Sequence, residues 1–208
     1  MFRVGLTGGI ASGKSTISQL FSALNIPVID TDLISHQLMQ KGQEAYLKTV
    51  EHFGAEILNP DGAINRAMLR QIIFTQAAQK TWLEYLLHPL IRARTELQIS
   101  QSKPADYALV VVPLMFETGF NKFLDHIIAI DCPPSTQLDR LMHRDHIQRE
   151  LAQKMIDAQL TNEQRMQQAD SCVQNQDNGS RSQDVLQLHT KLLSLAHKNN
   201  PGATSSLN

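Results

Sequence analysis

Cysteine is scarce in this chain, with only Cys132 and Cys172 among 208 residues. The two lie far apart and match no metal-ligand spacing, which argues against a zinc site. Nor do two thiols make a disulfide scaffold for a chain of this size, so the expectation is a reduced protein of the cytoplasm. A positive surplus is missing too. Nineteen Lys and Arg stand against 20 Asp and Glu, a net charge of −1. No global field recruits nucleic acid, and any affinity for phosphate must be local. No apolar run approaches a membrane span. The run Phe2–Leu6 before Gly8 is too short for a signal-peptide core. Neither nucleic acid nor membrane is expected as a partner. There are no internal repeats. What remains, 42% hydrophobic and 19% charged residues, is ordinary for one well-buried globular domain carrying small insertions.

The apolar pattern supplies the architecture. Phe2–Leu6 reads as a buried strand entering a tight loop at Gly8-Gly9. After Lys14, the residues Ile17, Leu20, Phe21 and Leu24 fall at i, i+3, i+4 and i+7, one face of a helix. Asn25-Ile26-Pro27 breaks it, and a second short strand ends at Asp30. Residues 33–102 lack β-branched runs and read as a helical insertion, interrupted near Gly54 and at the turn Asn59-Pro60-Asp61-Gly62. Tyr107–Val112 and Ile127–Ile130 fit strands buried on both faces, as in a parallel sheet. Residues 135–168 are charged and helical. Ser171–Val173 is a last short strand, followed by a turn at Asn178-Gly179 and a helix with Val185, Leu188, Leu192 and Leu195 on one side. The expected fold is α/β, a parallel five-stranded sheet flanked by helices in three layers.

Gly8-Gly9-Ile10-Ala11-Ser12-Gly13-Lys14-Ser15 matches G-x-x-x-x-G-K-[ST], with the required strand before it and helix after it. Gly8 and Gly13 permit torsions and close approach that a side chain would block. Successive N–H groups then turn inward, and the helix beginning near Gly13 adds its positive end. Lys14 is placed to reach β and γ phosphates, and Ser15 to complete the shell of a Mg²⁺ ion. A guanine-reading Asn-Lys-x-Asp is lacking. Its nearest counterpart, Asn121 to Asp125, is one residue too long and precedes a strand.

Asp30 and Asp32 come at the carboxyl end of the second strand, where ligands of open α/β sheets bind. Either takes a proton from an attacking hydroxyl or caps the following helix. Arg140 and Arg144 share one helix face and either neutralise charge in transit or form a surface ion-pair stripe.

Taken together, these pieces resemble the dephospho-CoA kinase family from about Arg3 to Leu195. The likeness runs through Leu6-Thr7-Gly8-Gly9-Ile10 leading into the phosphate loop, Asp30-Thr31-Asp32 with His36, His88-Pro89-Leu90-Ile91, and Val112-Pro113-Leu114-Met115-Phe116-Glu117. Arg140, Arg144, Gln159, Ala169-Asp170 and Asn175 follow in order. The resemblance implies transfer of the ATP γ-phosphoryl group to the ribose 3′-hydroxyl of dephospho-CoA, with Mg²⁺. It implies Asp32, Lys14 and Arg140 as catalytic residues. Gly8, Gly9, Ala11, Ser12, Gly13, Lys14, Ser15, Thr16, Arg144 and Asn175 would hold the nucleotide, with Ser15 on the metal. Thr7, Asp32, His36, His88, Pro113 and Glu117 would lie on the acceptor side, Glu117 touching metal-bound water or acceptor or only capping a loop. Residues 1–32, 106–139 and 169–198 would form the nucleotide-binding core, 33–105 the acceptor region and 140–168 a lid. The tail 199–208 is expected to be disordered, and the protein a monomer or weak homo-oligomer.

Two positions depart from the family. Ala11 stands where it usually has Gly, a change that reads as mild. Gln176-Asp177-Asn178 intervene before Gly179 in the loop expected near the adenine. A nucleoside or nucleotide kinase of the same architecture, or an ATP-binding regulator, shares most of these features.

Overall fold

A computed structural model describes residues 1–175 and 181–199. In chain order it runs β1 (Phe2–Thr7), α1 (Lys14–Ala23), β2 (Val28–Asp30), α2 (Thr31–Leu38), α3 (Glu44–Phe53), α4 (Arg66–Thr75), α5 (Ala77–Gln101) and β3 (Tyr107–Val111). Then come β4 (His126–Asp131), α6 (Pro134–Asp145), α7 (Arg149–Asp157), α8 (Asn162–Gln168), β5 (Ser171–Gln174) and α9 (Arg181–Asn199). The chain divides into two compact units, one of residues 1–29 with 99–208 and one of residues 30–98. The turn expected at Asn178-Gly179 and the tail from residue 200 lie outside the described residues.

The first unit holds a five-stranded parallel sheet in the order β2-β3-β1-β4-β5. Its central strand is the first in the chain. β1 pairs with β3 from Phe2↔Tyr107 to Leu6↔Val111, and with β4 from Val4↔His126 to Thr7↔Ala129. Chain order therefore reverses at β1, and the crevice outside its carboxyl end is the topological switch point where ligands of such sheets bind.

Side chains alternate across each strand. On one face Val4, Leu6, Leu109, Val111, Ile128 and Ile130 join Ile17 and Phe21 of α1 and Val185, Leu188 and Leu192 of α9 in a single core. Phe21 is fully buried and meets Tyr107 edge to face at 6.4 Å. Burying a phenylalanine this way stabilises by about 2–3 kcal/mol. On α9 the buried row continues to Ala196 rather than to Leu195, which is only half-buried. A row of Val185, Leu188 and Leu192 drifts round a 3.6-residue helix, so the next inward position falls four residues on. On the other face, Gly5 lets Met115 and Leu124 lie directly against β1. Arg3 fastens the start of that strand. Its guanidinium donates twice to the Asp125 carboxylate, at 3.1 and 2.8 Å, and sits 4.7 Å from the centre of the Phe123 ring.

The second unit is helical, as the missing β-branched runs led one to expect. Tyr46, Ile57, Ile64, Leu69 and Leu83 form its core. The Asn59–Gly62 turn closes a small bridge between Leu58 and Ile64, with the Tyr46 hydroxyl donating to the Gly62 carbonyl at 2.6 Å. His52 stacks on Trp82 at 3.7 Å and bonds Gln79 at 2.6 Å. α5 runs straight through Pro89. Pre-proline sterics alone would have ended the helix at His88. Among the described residues no helix is long and apolar enough to cross a membrane.

Candidate active site

β1 delivers Thr7 to the carboxyl edge of the sheet, fully buried, with its hydroxyl donating to the Pro113 carbonyl at 3.3 Å. The glycine loop then turns over that edge. The Ser12 N–H donates to the Gly9 carbonyl, and the Gly13 carbonyl accepts the first bond of α1 from Ile17. A Cβ at Gly8 would stand 2.5 Å from Ser12 Oγ. Gly13 has φ +89°, and a Cβ there would collide with the Asn175 amide nitrogen. Gly13 is therefore sterically required, and a side chain at Gly8 would push Ser12 Oγ aside.

Ala11 adopts φ +57°. The Gly-to-Ala departure is thus less mild than its extra methyl suggests, because the left-handed region costs a non-glycine residue about 1–2 kcal/mol. The methyl does pack, together with Ile10, against Leu138, Leu141 and Ala152, which offsets part of that cost. Ala11→Gly is expected to stabilise the fold by about 1 kcal/mol, a rise of roughly 2–4 °C in Tm measurable by scanning calorimetry.

α1 begins at this loop with no side-chain cap and no acid in its first turn. Its leading N–H groups and positive end are left to an anion, with no carboxylate competing for them. Lys14 Nζ donates to the Gly8 and Gly9 carbonyls at 2.8 and 3.1 Å, which holds the ammonium over the loop. Ser15, on the first turn of α1, is exposed, and Thr16 beside it is half-buried. Asn175 is 1% exposed and braces the loop from the end of β5. Its side chain donates to the Ser12 carbonyl at 2.6 Å, and its backbone N–H bonds Asp131. The residues after it, expected near adenine, lie outside the described residues.

The two expected arginines diverge. Arg140 lies with Nη1 3.6 Å from where a Gly13 Cβ would stand and equally far from Cys132 Sγ. Arg144 instead forks onto neighbouring Asp145 at 2.7 and 2.9 Å, 58% exposed. An arginine not singled out from the sequence takes the inner position. Arg165 of α8 is 2% exposed and, with Gln137 of α6, presses against Gly9. Burial lowers its pKa, opposed by Glu117, whose Oε1 lies 4.0 Å from Nη2. Arg165 also donates to Gln159 Oε1 at 3.4 Å, the same oxygen that accepts the Ile10 N–H at 2.8 Å. The one sequence signal that could have pointed this way is the Thr161-Asn162-Glu163-Gln164 spacing. It forms a capping box that fixes the start of α8 and hence the direction of Arg165.

Among the described residues, the buried side-chain atoms without a partner are Ser12 Oγ, Gln137 Nε2, Asn162 Oδ1, Arg165 Nε and Asn175 Oδ1. All of these residues except Asn162 touch or belong to the glycine loop. Buried polar groups are paired almost everywhere in proteins, so this concentration fits a loop built around the polar atoms of a phosphate chain. No three His, Cys, Asp or Glu side chains gather as a metal cage among the described residues. A donor set limited to the Ser15 hydroxyl fits Mg²⁺, which binds few protein groups beside water and phosphate oxygens.

In the second unit, the Asp30 carboxylate accepts from the Asp32 and Leu33 N–H groups. Asp30 is therefore the cap of α2. Asp32 and His36, one helical turn apart, are both exposed on that helix, and His88 is half-buried on α5.

A family model described as dephospho-CoA kinase matches residues 2–181. The chain belongs to the dephospho-CoA kinase family. Among relatives, the dephospho-CoA kinase of Mannheimia succiniciproducens is 46% identical over 200 residues, covering 94% of this chain and 93% of that protein. A solved dephospho-CoA kinase from Campylobacter jejuni is 27% identical, with a TM-score of 0.67, covering 92% of this chain and 97% of its own. A Thermus thermophilus crystal structure at 24% identity shares the fold with a TM-score of 0.81, over 91% of this chain and 96% of that one. Dephospho-CoA kinases phosphorylate dephospho-CoA to coenzyme A with ATP as donor, and the uncapped glycine loop with Lys14 is the part of this fold suited to that donor.

Proposed function

We propose that this chain transfers the γ-phosphoryl group of ATP to the ribose 3′-hydroxyl of dephospho-CoA, in the cytoplasm. The observation that carries the reading is the glycine loop, whose uncapped helix start, Lys14 and buried unpartnered atoms all suit a phosphate chain. Gly8, Gly9, Ala11, Ser12, Gly13 and Thr16 line the donor, and Asn175 holds the loop in shape. Lys14 and Arg140 meet charge that develops in the transition state. Ser15 would hold Mg²⁺, which supplies further neutralisation of the phosphates. Asp32 takes the proton of the attacking hydroxyl. Asp30 already serves as the helix cap, so the cap does not call for Asp32.

His36 and His88 lie on the acceptor side. Thr7 acts through Pro113, whose carbonyl it fixes. Glu117 serves mainly to hold Arg165 and the Leu160 N–H, the latter at 3.4 Å. Residues 33–105 bind the acceptor, and residues 140–168 act as a lid that excludes water. Arg144 belongs to that lid and reaches the nucleotide only by leaving Asp145.

The test is ADP release with Mg·ATP and dephospho-CoA, adenosine, AMP or shikimate as acceptor. Turnover with dephospho-CoA alone, giving a 3′-phosphorylated product by mass, is expected. Turnover with another acceptor keeps the kinase and discards the substrate. ATP binding without any product overturns the enzyme reading.

A further inference from the structure

The segment between α7 and α8 is fastened at two points. Gln159 Oε1 accepts the Ile10 N–H at 2.8 Å, and the Leu160 N–H donates to Glu117 at 3.4 Å. Arg165 stands behind both fastenings. Its Nη2 reaches Gln159 Oε1 at 3.4 Å and lies 4.0 Å from Glu117 Oε1, with the side chain almost wholly buried.

The chemistry gives Arg165 a specific task. A glutamine amide presents either an acceptor or a donor, and swings between the two at little cost unless its neighbours decide. The Ile10 N–H and the Arg165 guanidinium both only donate. Together they force Oε1 inward, and Arg165 does so from a buried position where the bond is stronger than in water. Glu117 aims the guanidinium and compensates its charge, so that burial beside Gly9 is tolerable. Next to Ile10, Ala11 adopts a left-handed conformation, so this stretch of loop is held against its local preference.

We propose that Arg165 is a positioning residue that, by fixing the Gln159 amide, holds the Gly9–Ala11 stretch of the phosphate loop in its ATP-receiving shape. It acts through Gln159 and need not touch nucleotide. The segment around Ala158–Thr161 is then the strut of the loop, and ATP affinity depends on a residue far along the chain. This rests on ATP being the donor, as read above.

The test is the Kd of the intact chain for Mg·ATP by calorimetry without acceptor, together with kinetics on both substrates. Gln159→Leu keeps the side chain's bulk and is expected to weaken ATP about tenfold. KM for dephospho-CoA should stay unchanged, and exchange of the Ile10 amide hydrogen should speed up. Arg165→Met is expected to do the same, and Arg165→Lys to restore part of the affinity, because one ammonium pairs with Glu117 but lacks the fork. The double variant Gln159→Leu with Arg165→Met should be no weaker than either single one, since both break one linkage.

If Arg165→Met fails to fold, Gln159→Leu decides alone, because Gln159 is only half-buried. Unchanged ATP affinity in a folded Gln159→Leu, or fully additive losses in the double variant, overturns the proposal. A wild-type chain that binds ATP but leaves dephospho-CoA untouched overturns the assigned reaction and leaves this inference standing.

Discussion

Asp32→Asn should bind Mg·ATP as wild type does while losing about 10²–10⁴ in kcat, the range that general-base groups supply. The expectation rests on a division of labour between two neighbouring carboxylates. Asp30 already accepts the Asp32 and Leu33 N–H groups, so removing the Asp32 charge leaves the α2 cap in place and Tm near its wild-type value. Asp30→Ala should do the reverse, losing about 1 kcal/mol of stability with the helix cap. Turnover and thermal melting measured on both variants separate the roles. A folded Asp32→Asn with full kcat would end the base assignment.

Lys14→Ala is the second large effect. Its ammonium spans the Gly8 and Gly9 carbonyls, and no other lysine or arginine belongs to the glycine loop itself. Removing one preorganised charge from a transition state of phosphoryl transfer costs about 10²–10³ in rate. The loss should appear in kcat as well as in ATP binding, because charge on the transferring oxygens peaks in the transition state. Arg140→Ala should be milder, since that guanidinium shares its position with the Cys132 thiol. Steady-state kinetics varying ATP at saturating dephospho-CoA give both numbers.

Much of this was legible in the chain because it is local. The strands β1, β3 and β4 are apolar runs whose period and length need no tertiary information, and the glycine loop is a fixed spacing with its own mechanics. What escaped depends on packing. Arg165 sits in Asn162–Gln168, a stretch of polar residues that reads as a solvated face. Its burial arises only when that helix lies against Gly9 and Gln137. Asp30 and Asp32 could not be told apart by type, since a cap and a base call for the same carboxylate; hydrogen bonds from two specific N–H groups identify Asp30 as the cap. Ala11 carries no mark of its left-handed torsion. Pro89 obeys a local rule that the surrounding helix overrides, which is why His88 lies within α5 rather than at its end.

The sheet order also bears on how the protein comes to be made. β1 is translated before either of its neighbours, yet it pairs with Tyr107–Val111 and His126–Ala129. An emerging chain must therefore carry an apolar strand and its glycine loop with no hydrogen-bonding partner for more than a hundred residues of synthesis. Such long-range pairing folds slowly and leaves strand edges open to other chains. The glycine loop is among the first parts made, yet its strand has both neighbours only once β4 is translated, so a ribosome stalled before β4 would release a sticky fragment rather than a partial enzyme.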